Sequence, residues 1–137
     1  MSILVSVGIM ALIATLTIPY LRKYQPNLKL NGVARELTTD LRYAQQLTIT
    51  EQVTHIVELD IFNDSYKILK IGAATTMVKQ SSFPVEVSFQ QITDLTNNQV
   101  IFNSYGGVSE DGVITLVNTS GATAIINVKP SGYIELQ

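Results

Sequence analysis

The feature that most constrains this chain is an uncharged apolar run near its amino-terminal end, Ile3–Ile18. Only three of its sixteen residues, all Ser or Thr, are polar, and the run stops at Pro19. As a helix rising ~1.5 Å per residue it spans about 24 Å, or about 28 Å with Leu21, against ~30 Å of bilayer hydrocarbon. The run therefore predicts a helix that lies in a membrane or against a partner helix.

Three other interpretations of this run stay open. A secretory signal peptide has a basic start and a small-residue cleavage motif, which Met1-Ser2 and Ala14-Thr15-Leu16 match poorly. A run this short also occurs as a buried helix of a soluble domain. The third alternative is a one-pass anchor for a β domain that binds a protein or ligand without polymerising.

Length, charge and cysteine content limit what the rest of the chain can be. Its 137 residues leave room for one ordinary domain after the first helix, large enough to bury a core. The absence of cysteine excludes disulfides and thiol or Cys-based zinc chemistry. Nine basic and eleven acidic residues produce no single-sign field of the kind that binds nucleic acid. We predict two parts, a membrane or filament helix over 1–25 and a globular head over 26–137.

A second helix is predicted over residues 28–50, because apolar residues recur there at steps of three or four. They form a narrow stripe: Leu30, Val33, Ala34, Leu37, Leu41, Ala44 and Leu47. The polar face is assigned to Arg35, Glu36, Thr39, Asp40, Arg42 and Gln46. This pattern indicates an amphipathic helix that lies on a sheet. Two starts stay open, an N-cap at Asn31 or a continuation of the upstream helix.

Two prolines, Pro19 and Pro26, lie between the predicted helices and predict kinks there, because proline removes a helical hydrogen bond. Between them lies the segment Tyr20-Leu21-Arg22-Lys23-Tyr24. Aromatic and cationic residues of this kind are typical of a membrane–water interface, and a solvated helix surface fits the segment equally well.

The remaining chain has a period of two and predicts six or seven short strands without an intervening helix. The segments are Val53–Asp60, Tyr66–Ile71, Phe83–Phe89, Val100–Phe102, Val113–Val117, Ala124–Val128 and Tyr133–Leu136. Residues 72–80 are expected to form a mobile loop or a short extra strand. The predicted fold class is therefore α+β, with a long amino-terminal helix whose apolar half protrudes and whose amphipathic half packs on an antiparallel all-β head.

Candidate catalytic and metal-binding residues are few. His55 is the only histidine, and its place in a strand predicts a packed or half-exposed side chain. Asp60 and Asp64 match no calcium-loop spacing and are predicted to be turn acids. The Glu110-Asp111-Gly112 segment has the composition of a turn. With no phosphate-binding loop or nucleophile motif, we predict no catalytic, cofactor or metal site, no small-molecule substrate and no enzymatic activity.

The layout and several segments resemble the type IV pilin superfamily, and within it the GspH/FimT class of minor pseudopilins and minor pilins. Processed members begin with Phe-Thr-Leu-Ile-Glu and an apolar run similar to Ile3–Ala14, which ends at a proline in the place of Pro19. The segment Asp40–Thr50 is similar to the end of the long helix in that class. Val100–Gly106 and Asn127–Ile134 are similar to its two strand endings, each followed by a glycine turn.

Two features depart from the class. Ser2 stands where the glutamate is expected, and the short basic leader that ends in glycine is not in the sequence. The chain as given begins inside the processed helix, or its start lies upstream, or this member lacks the feature. The second departure is Gln45, where the class commonly has arginine, and it bears on the subclass.

The resemblance implies a structural minor subunit of a type II secretion pseudopilus or a type IV pilus, with the amino-terminal methylation of that class. It implies one helix in the bacterial inner membrane, a head in the periplasm or outside the cell, and other pilins or pseudopilins as partners. The expected packing residues are Ile3, Leu4, Val7, Gly8, Ala11, Leu12, Ala14 and Ile18. A DNA-uptake minor pilin stays open as an alternative, although no arginine follows Arg42 to neutralise phosphates.

Overall fold

A single helix, α1, runs from Ser2 to Glu51 in the computed structural model, which describes residues 1–137. It continues through Pro19 and Pro26, so the two predicted helices are one. The continuation was therefore the right alternative, and an N-cap at Asn31 is wrong. The bends expected at the two prolines stay predictions.

The second half of α1 is covered by the rest of the chain. Its buried residues are Leu30, Val33, Ala34, Leu37, Thr38, Asp40, Leu41, Ala44 and Thr48. The predicted apolar stripe is confirmed except for Leu47, which is only half-buried. Asp40 was assigned to the polar face, and that assignment is wrong, because its carboxylate is buried against polar side chains of the sheet.

Eight strands follow the helix and form two four-stranded antiparallel sheets. In chain order they are β1 (His55–Asp60), β2 (Ser65–Ile71), β3 (Thr75–Ser82), β4 (Val87–Thr93), β5 (Gln99–Phe102), β6 (Gly112–Asn118), β7 (Thr123–Val128) and β8 (Ile134–Leu136). One sheet has the order β3-β2-β1-β5 and the other β4-β6-β7-β8. The predicted α+β class and the antiparallel all-β head are confirmed.

Two strand assignments change. Residues 75–82 form a full strand, β3, at the edge of the first sheet, which raises the strand count to eight. The strand predicted to begin at Phe83 begins instead at Val87, because Pro84 lies in a turn that the Val87 N–H closes on the Pro84 carbonyl at 3.0 Å. Val85 alternates with Phe83 and Val87 in the sequence, yet it is 98% exposed in this turn.

The core lies between α1 and the inner faces of both sheets. Its fully buried side chains include Leu37 and Leu41 of the helix, Phe102 of β5 and Ile114 of β6. We call the end of the head where α1 enters the proximal end, and the end where α1 stops, near Glu51, the distal end.

Candidate functional site

The candidate site is the first half of α1, residues 1–25, which we call the stem. Every residue of the stem is exposed, including Leu4 at 75%, Leu12 at 64% and Ile18 at 53%. This is the one helix that is long and apolar enough to span a membrane, and none of its most apolar window is buried by the chain. The stem therefore presents an apolar surface that this molecule does not cover itself.

The few polar side chains in the stem bond to the helix that carries them. The Ser6 hydroxyl donates to the Ser2 carbonyl at 2.8 Å, and the Thr17 hydroxyl donates to the Ile13 carbonyl at 2.8 Å. Thr15 likewise donates to the Ala11 carbonyl. Lipid tails offer no hydrogen bonds, so hydroxyls satisfied within one helix are compatible with a hydrocarbon environment.

The predicted packing residues share one half of the stem surface at 3.6 residues per turn. They are Ile3, Leu4, Val7, Gly8, Ala11, Leu12, Ala14 and Ile18, and all are exposed. A Cβ atom built on Gly8 would meet nothing within 4 Å. Nothing in this chain therefore requires glycine at position 8, and the role of these residues in packing remains a proposal.

The proximal end of the head clamps α1 just beyond the stem. The Lys29 ammonium pairs with the Glu86 carboxylate, and this bond holds the pKa of Glu86 below its ordinary range. The Asn118 amide donates to the Asn27 side-chain oxygen at 2.7 Å. Asn118 is only 5% exposed, and its own oxygen accepts the N–H groups of the turn that follows it. These contacts anchor the helix where the stem ends.

A second clamp lies at the distal end, where Gln45 of α1 joins two glycine turns. Its amide nitrogen donates to the carbonyls of Gly106 at 2.7 Å and Gly132 at 2.9 Å. Gly132 has φ +82°, and a Cβ there would lie 2.1 Å from the Gly106 oxygen. Arg42 adds a bond to the Ile134 carbonyl at 2.9 Å. The three segments that resemble the GspH/FimT class are thus brought together by Gln45.

The buried Asp40 carboxylate ties the middle of α1 to the first sheet. It accepts from the Tyr66 hydroxyl at 2.6 Å and pairs with the Lys79 ammonium at 2.7 Å. Burial and the bond to Asp40 raise the pKa of Tyr66, and the same carboxylate raises the pKa of Lys79. Both partners keep their protons at neutral pH, so the buried charge is compensated.

Sequence reasoning missed these polar contacts, because each joins residues far apart in the chain. Asn27 and Asn118 are 91 positions apart, and Gln45 and Gly132 are 87 apart. The one available signal was the glycine turns, since Gly132 adopts a backbone conformation that other residues rarely adopt.

The residues considered as catalytic or metal-binding candidates instead make contacts that hold the fold together. The His55 side chain is fully buried, with Nδ1 2.8 Å from the Val53 carbonyl and Nε2 3.4 Å from Glu51. Asp60 accepts three hydrogen bonds within its own turn, which hold its pKa below the ordinary range. Asp64 accepts the Phe89 N–H at 2.9 Å. The structure contains no group of three His, Cys, Asp or Glu side chains placed to hold a metal ion.

The basic residues of the head are mostly neutralised by neighbouring carboxylates. Three of the four lysines beyond residue 42 are in ion pairs: Lys67 with Glu58, Lys70 with Glu51 and Lys79 with Asp40. The bond from Lys70 lowers the pKa of Glu51. Because DNA affinity depends on the number of phosphates neutralised, these pairs leave little basic surface for that purpose.

Comparison with solved structures finds the same fold over most of this chain. The minor pseudopilin EpsH from the Type 2 Secretion System of Vibrio cholerae superposes with a TM-score of 0.69 at 12% identity, covering 80% of this chain and 96% of that one. The type IV minor pilin FimU of Pseudomonas aeruginosa superposes with a TM-score of 0.67 at 13% identity, covering 83% and 92%. No protein-family model and no curated protein sequence matches the chain.

Proposed function

Given the type IV pilin-like fold that this chain shares with those minor subunits, we propose that it is a structural minor subunit of a type II secretion pseudopilus or a type IV pilus. The stem anchors it in the bacterial inner membrane as a single-pass segment, with the head in the periplasm or outside the cell. Its partners are other pilins or pseudopilins, which it contacts through the stem. We propose no enzymatic activity, in keeping with the structural subunits that it resembles.

The observation that carries this proposal is the uncovered apolar stem on an otherwise self-contained fold. The head buries its own core without help from residues 1–25, all of which are exposed. An apolar surface of this length is unfavourable in water and requires lipid or neighbouring helices to cover it. A helix that is first inserted in lipid and later packed among equivalent helices satisfies this requirement in both states.

Assembly would depend on close packing. Lipid tails are as apolar as Ile or Leu, so moving the stem from lipid to neighbouring helices gains little hydrophobic free energy. Small residues that let helix backbones approach closely would then decide the association. Ser6, Gly8, Ala11 and Ala14 supply such positions, and Gly8 has open space around it in the isolated chain.

Site-directed crosslinking in intact cells tests this proposal. The chain has no cysteine, so single cysteines placed at Leu4 and Ala11 report only on the stem. With a second single cysteine placed in the apolar helix of a pilin-like partner, we expect oxidation to join the two chains in one disulfide-linked dimer, because equivalent helices meet in a filament core. A cysteine at Phe62, exposed on the head, is the control for random collision. Monomers alone at Leu4 and Ala11 would favour the alternative, a one-pass anchored β domain that does not polymerise.

A packing variant tests the mechanism. We expect Gly8→Leu or Ala11→Leu to abolish incorporation into filaments, because the added volume separates the helices, while the head stays folded. The matched control is Ile9→Phe, which adds volume on the other half of the stem and away from Ser6. Normal incorporation of Gly8→Leu and Ala11→Leu would contradict the proposal. Filament-independent DNA binding by the purified protein would favour the DNA-uptake alternative.

A further inference from the structure

A groove lies at the proximal end of the head, in the angle between the stem and the turn after β6. It has a volume of about 330 Å³ and is lined by Tyr20, Lys23, Tyr24, Asn27 and Ser120. None of these side chains is acidic. The groove takes no part in the core or in the proposed packing half of the stem.

The head side of this groove is held in place by the buried Asn118. Its side-chain oxygen accepts the Ser120 N–H at 3.0 Å and the Ala122 N–H at 2.9 Å, while its amide reaches Asn27 on the helix. The Thr119 N–H also donates to the Glu86 carbonyl at 3.1 Å. Ser120 is thereby fixed beside the helix, so the groove is a formed feature of the fold.

The helix side supplies hydrogen-bond donors and one positive charge. The Tyr20 and Tyr24 hydroxyls lie 3.3 Å apart, with ring centroids 5.2 Å apart, so their polar tips converge. Lys23 lies on the same turn of helix, and its ammonium forms no ion pair in the structure, unlike that of Lys29 six residues later. Hydroxyl groups and an ammonium in one groove, with no acidic side chain in its lining, suit a phosphate oxyanion.

The position of the groove relative to the bilayer agrees with phosphate binding. If the apolar run through Leu21 fills the hydrocarbon, Lys23 lies about 3 Å beyond it at ~1.5 Å per residue. The polar layer on each side of a bilayer is about 5–8 Å thick, which is half the difference between ~30 Å and ~40–45 Å. The groove therefore lies within the layer that contains the lipid phosphates.

We propose that this groove binds the phosphate headgroup of an anionic phospholipid and so docks the proximal end of the head on the bilayer surface. The inference rests on the membrane placement of the stem in the proposed function. Selectivity follows from the lining: phosphatidylethanolamine brings an ammonium for which the groove has no carboxylate, whereas phosphatidylglycerol brings only hydroxyls.

Native mass spectrometry of the full chain released from detergent micelles tests the site. With added phosphatidylglycerol we expect one bound lipid per chain, at about tenfold lower lipid concentration than phosphatidylethanolamine requires. Lys23→Gln should weaken phosphatidylglycerol binding about tenfold, because it removes the charge. The matched control is Arg22→Gln, the adjacent cation that does not line the groove, and it should change binding less than about twofold.

Further variants separate the site from a general attraction between basic residues and anionic lipid. Replacing both tyrosines by phenylalanine keeps the rings and removes the hydroxyls, and it should weaken phosphatidylglycerol binding about threefold. Equal losses in Lys23→Gln and Arg22→Gln, or equal binding of the two lipids, would overturn the proposal. Displacement of the lipid by millimolar inorganic phosphate would overturn the lipid as the ligand.

This experiment is independent of filament assembly. A selective lipid adduct in a chain that forms no crosslinked species in cells would refute the filament subunit and keep the headgroup site. Crosslinked species without a selective adduct would refute the headgroup site and keep the subunit.

Discussion

The two halves of α1 show how one continuous helix can have two different environments. Leu12 in the stem is 64% exposed, whereas Leu41 in the covered half is fully buried. From Ile3 to Ile18 the stem is apolar on every side, while the covered half has an apolar stripe facing the sheets and a polar face outward. No break in the helix separates the two environments.

The two halves of α1 need different amounts of surface to cover them. An amphipathic helix is satisfied by a single apolar surface, which the two sheets provide. A helix that is apolar all round needs cover on all sides, and one head on a 137-residue chain lies to one end of it. The stability of the head should therefore depend on the covered half and be indifferent to stem side chains. Matched variants in the two halves, each made in the full chain and measured in detergent, test that separation.

The largest effect is expected from truncating matched leucines in the two halves. Leu41→Ala should lower the free energy of unfolding of the head by about 3 kcal/mol, because it leaves a cavity in the core. Leu12→Ala should change it by less than about 0.5 kcal/mol, because Leu12 contacts no part of the head. Urea unfolding followed by tyrosine fluorescence measures both. A comparable loss of unfolding free energy in Leu12→Ala would show that the stem does pack on the head.

Glycines provide the second test. Gly132→Ala should destabilise the head by roughly 3 kcal/mol, since the new methyl group would lie 2.1 Å from the Gly106 oxygen and 2.2 Å from the Gln45 amide nitrogen. Gly121→Ala has the same backbone strain, with φ +83°, but open space, and should cost only about 1 kcal/mol. Gly8→Ala, in the stem, should leave head stability unchanged. Equal costs at Gly132 and Gly121 would mean that the clash with Gln45 and Gly106 is relieved.

Glutamines in the two halves provide a smaller test. Gln45→Ala should cost about 1.5 kcal/mol, because the carbonyls of Gly106 and Gly132 lose a shared donor. Gln25→Ala, at the exposed end of the stem, should cost less than about 0.3 kcal/mol. Thermal unfolding by circular dichroism is sufficient to rank them. If Gln45→Ala lowers the unfolding temperature no more than Gln25→Ala does, water replaces the Gln45 amide and the distal clamp adds nothing to stability.

The dependence of head stability on pH should be the smallest effect. It should arise from groups in the head and in the covered half of α1. Glu51, Glu86 and Glu110 have pKa values lowered from 4.5, chiefly by bonds from Lys70, Lys29 and the Thr96 backbone respectively. A lowered folded-state pKa contributes stability that is complete above the ordinary value and is lost as pH falls through the folded-state pKa. The unfolding temperature should thus decline only below about pH 4.5.

At alkaline pH the change of stability with pH has the opposite sign. The raised pKa values of Lys79 and Tyr66 contribute stability that is complete below their ordinary values, 10.5 and 10.0, and is lost as pH rises through the raised ones. A melting series across this range measures both limits, and Glu51→Gln should flatten the acid side. A decline that begins near neutral pH would contradict this prediction, because none of these groups titrates there.

Much of the fold could be predicted from periodicity, and the failures have local causes. The stripe from Leu30 to Ala44 was predicted correctly because a 3.6-residue period and a sheet on one side leave little choice. The strand expected from Phe83 failed because alternation continued into a proline turn, which exposes Val85. Asp40 was misplaced because its compensation comes from Tyr66 and Lys79, on strands that the helix pattern does not reveal.

The candidate site divides in the same way. The exposed stem could be predicted from composition, since an uncharged run needs no knowledge of its neighbours. The clamps at Asn118 and Gln45, and the groove around Lys23, could not be predicted. Each depends on a turn that is distant in sequence and reaches the helix only after both sheets have formed.

From the sequence alone we could predict a long apolar helix at one end, an amphipathic continuation and an antiparallel β head. These features follow from short-range periodicity and from the free-energy cost of leaving apolar side chains in water. Only the tertiary structure decided that α1 is unbroken, that Asp40 is buried with its partners, and that two clamps hold the helix at the ends of the head. These depend on hydrogen bonds between distant segments, whose geometry exists only once the sheets are in register.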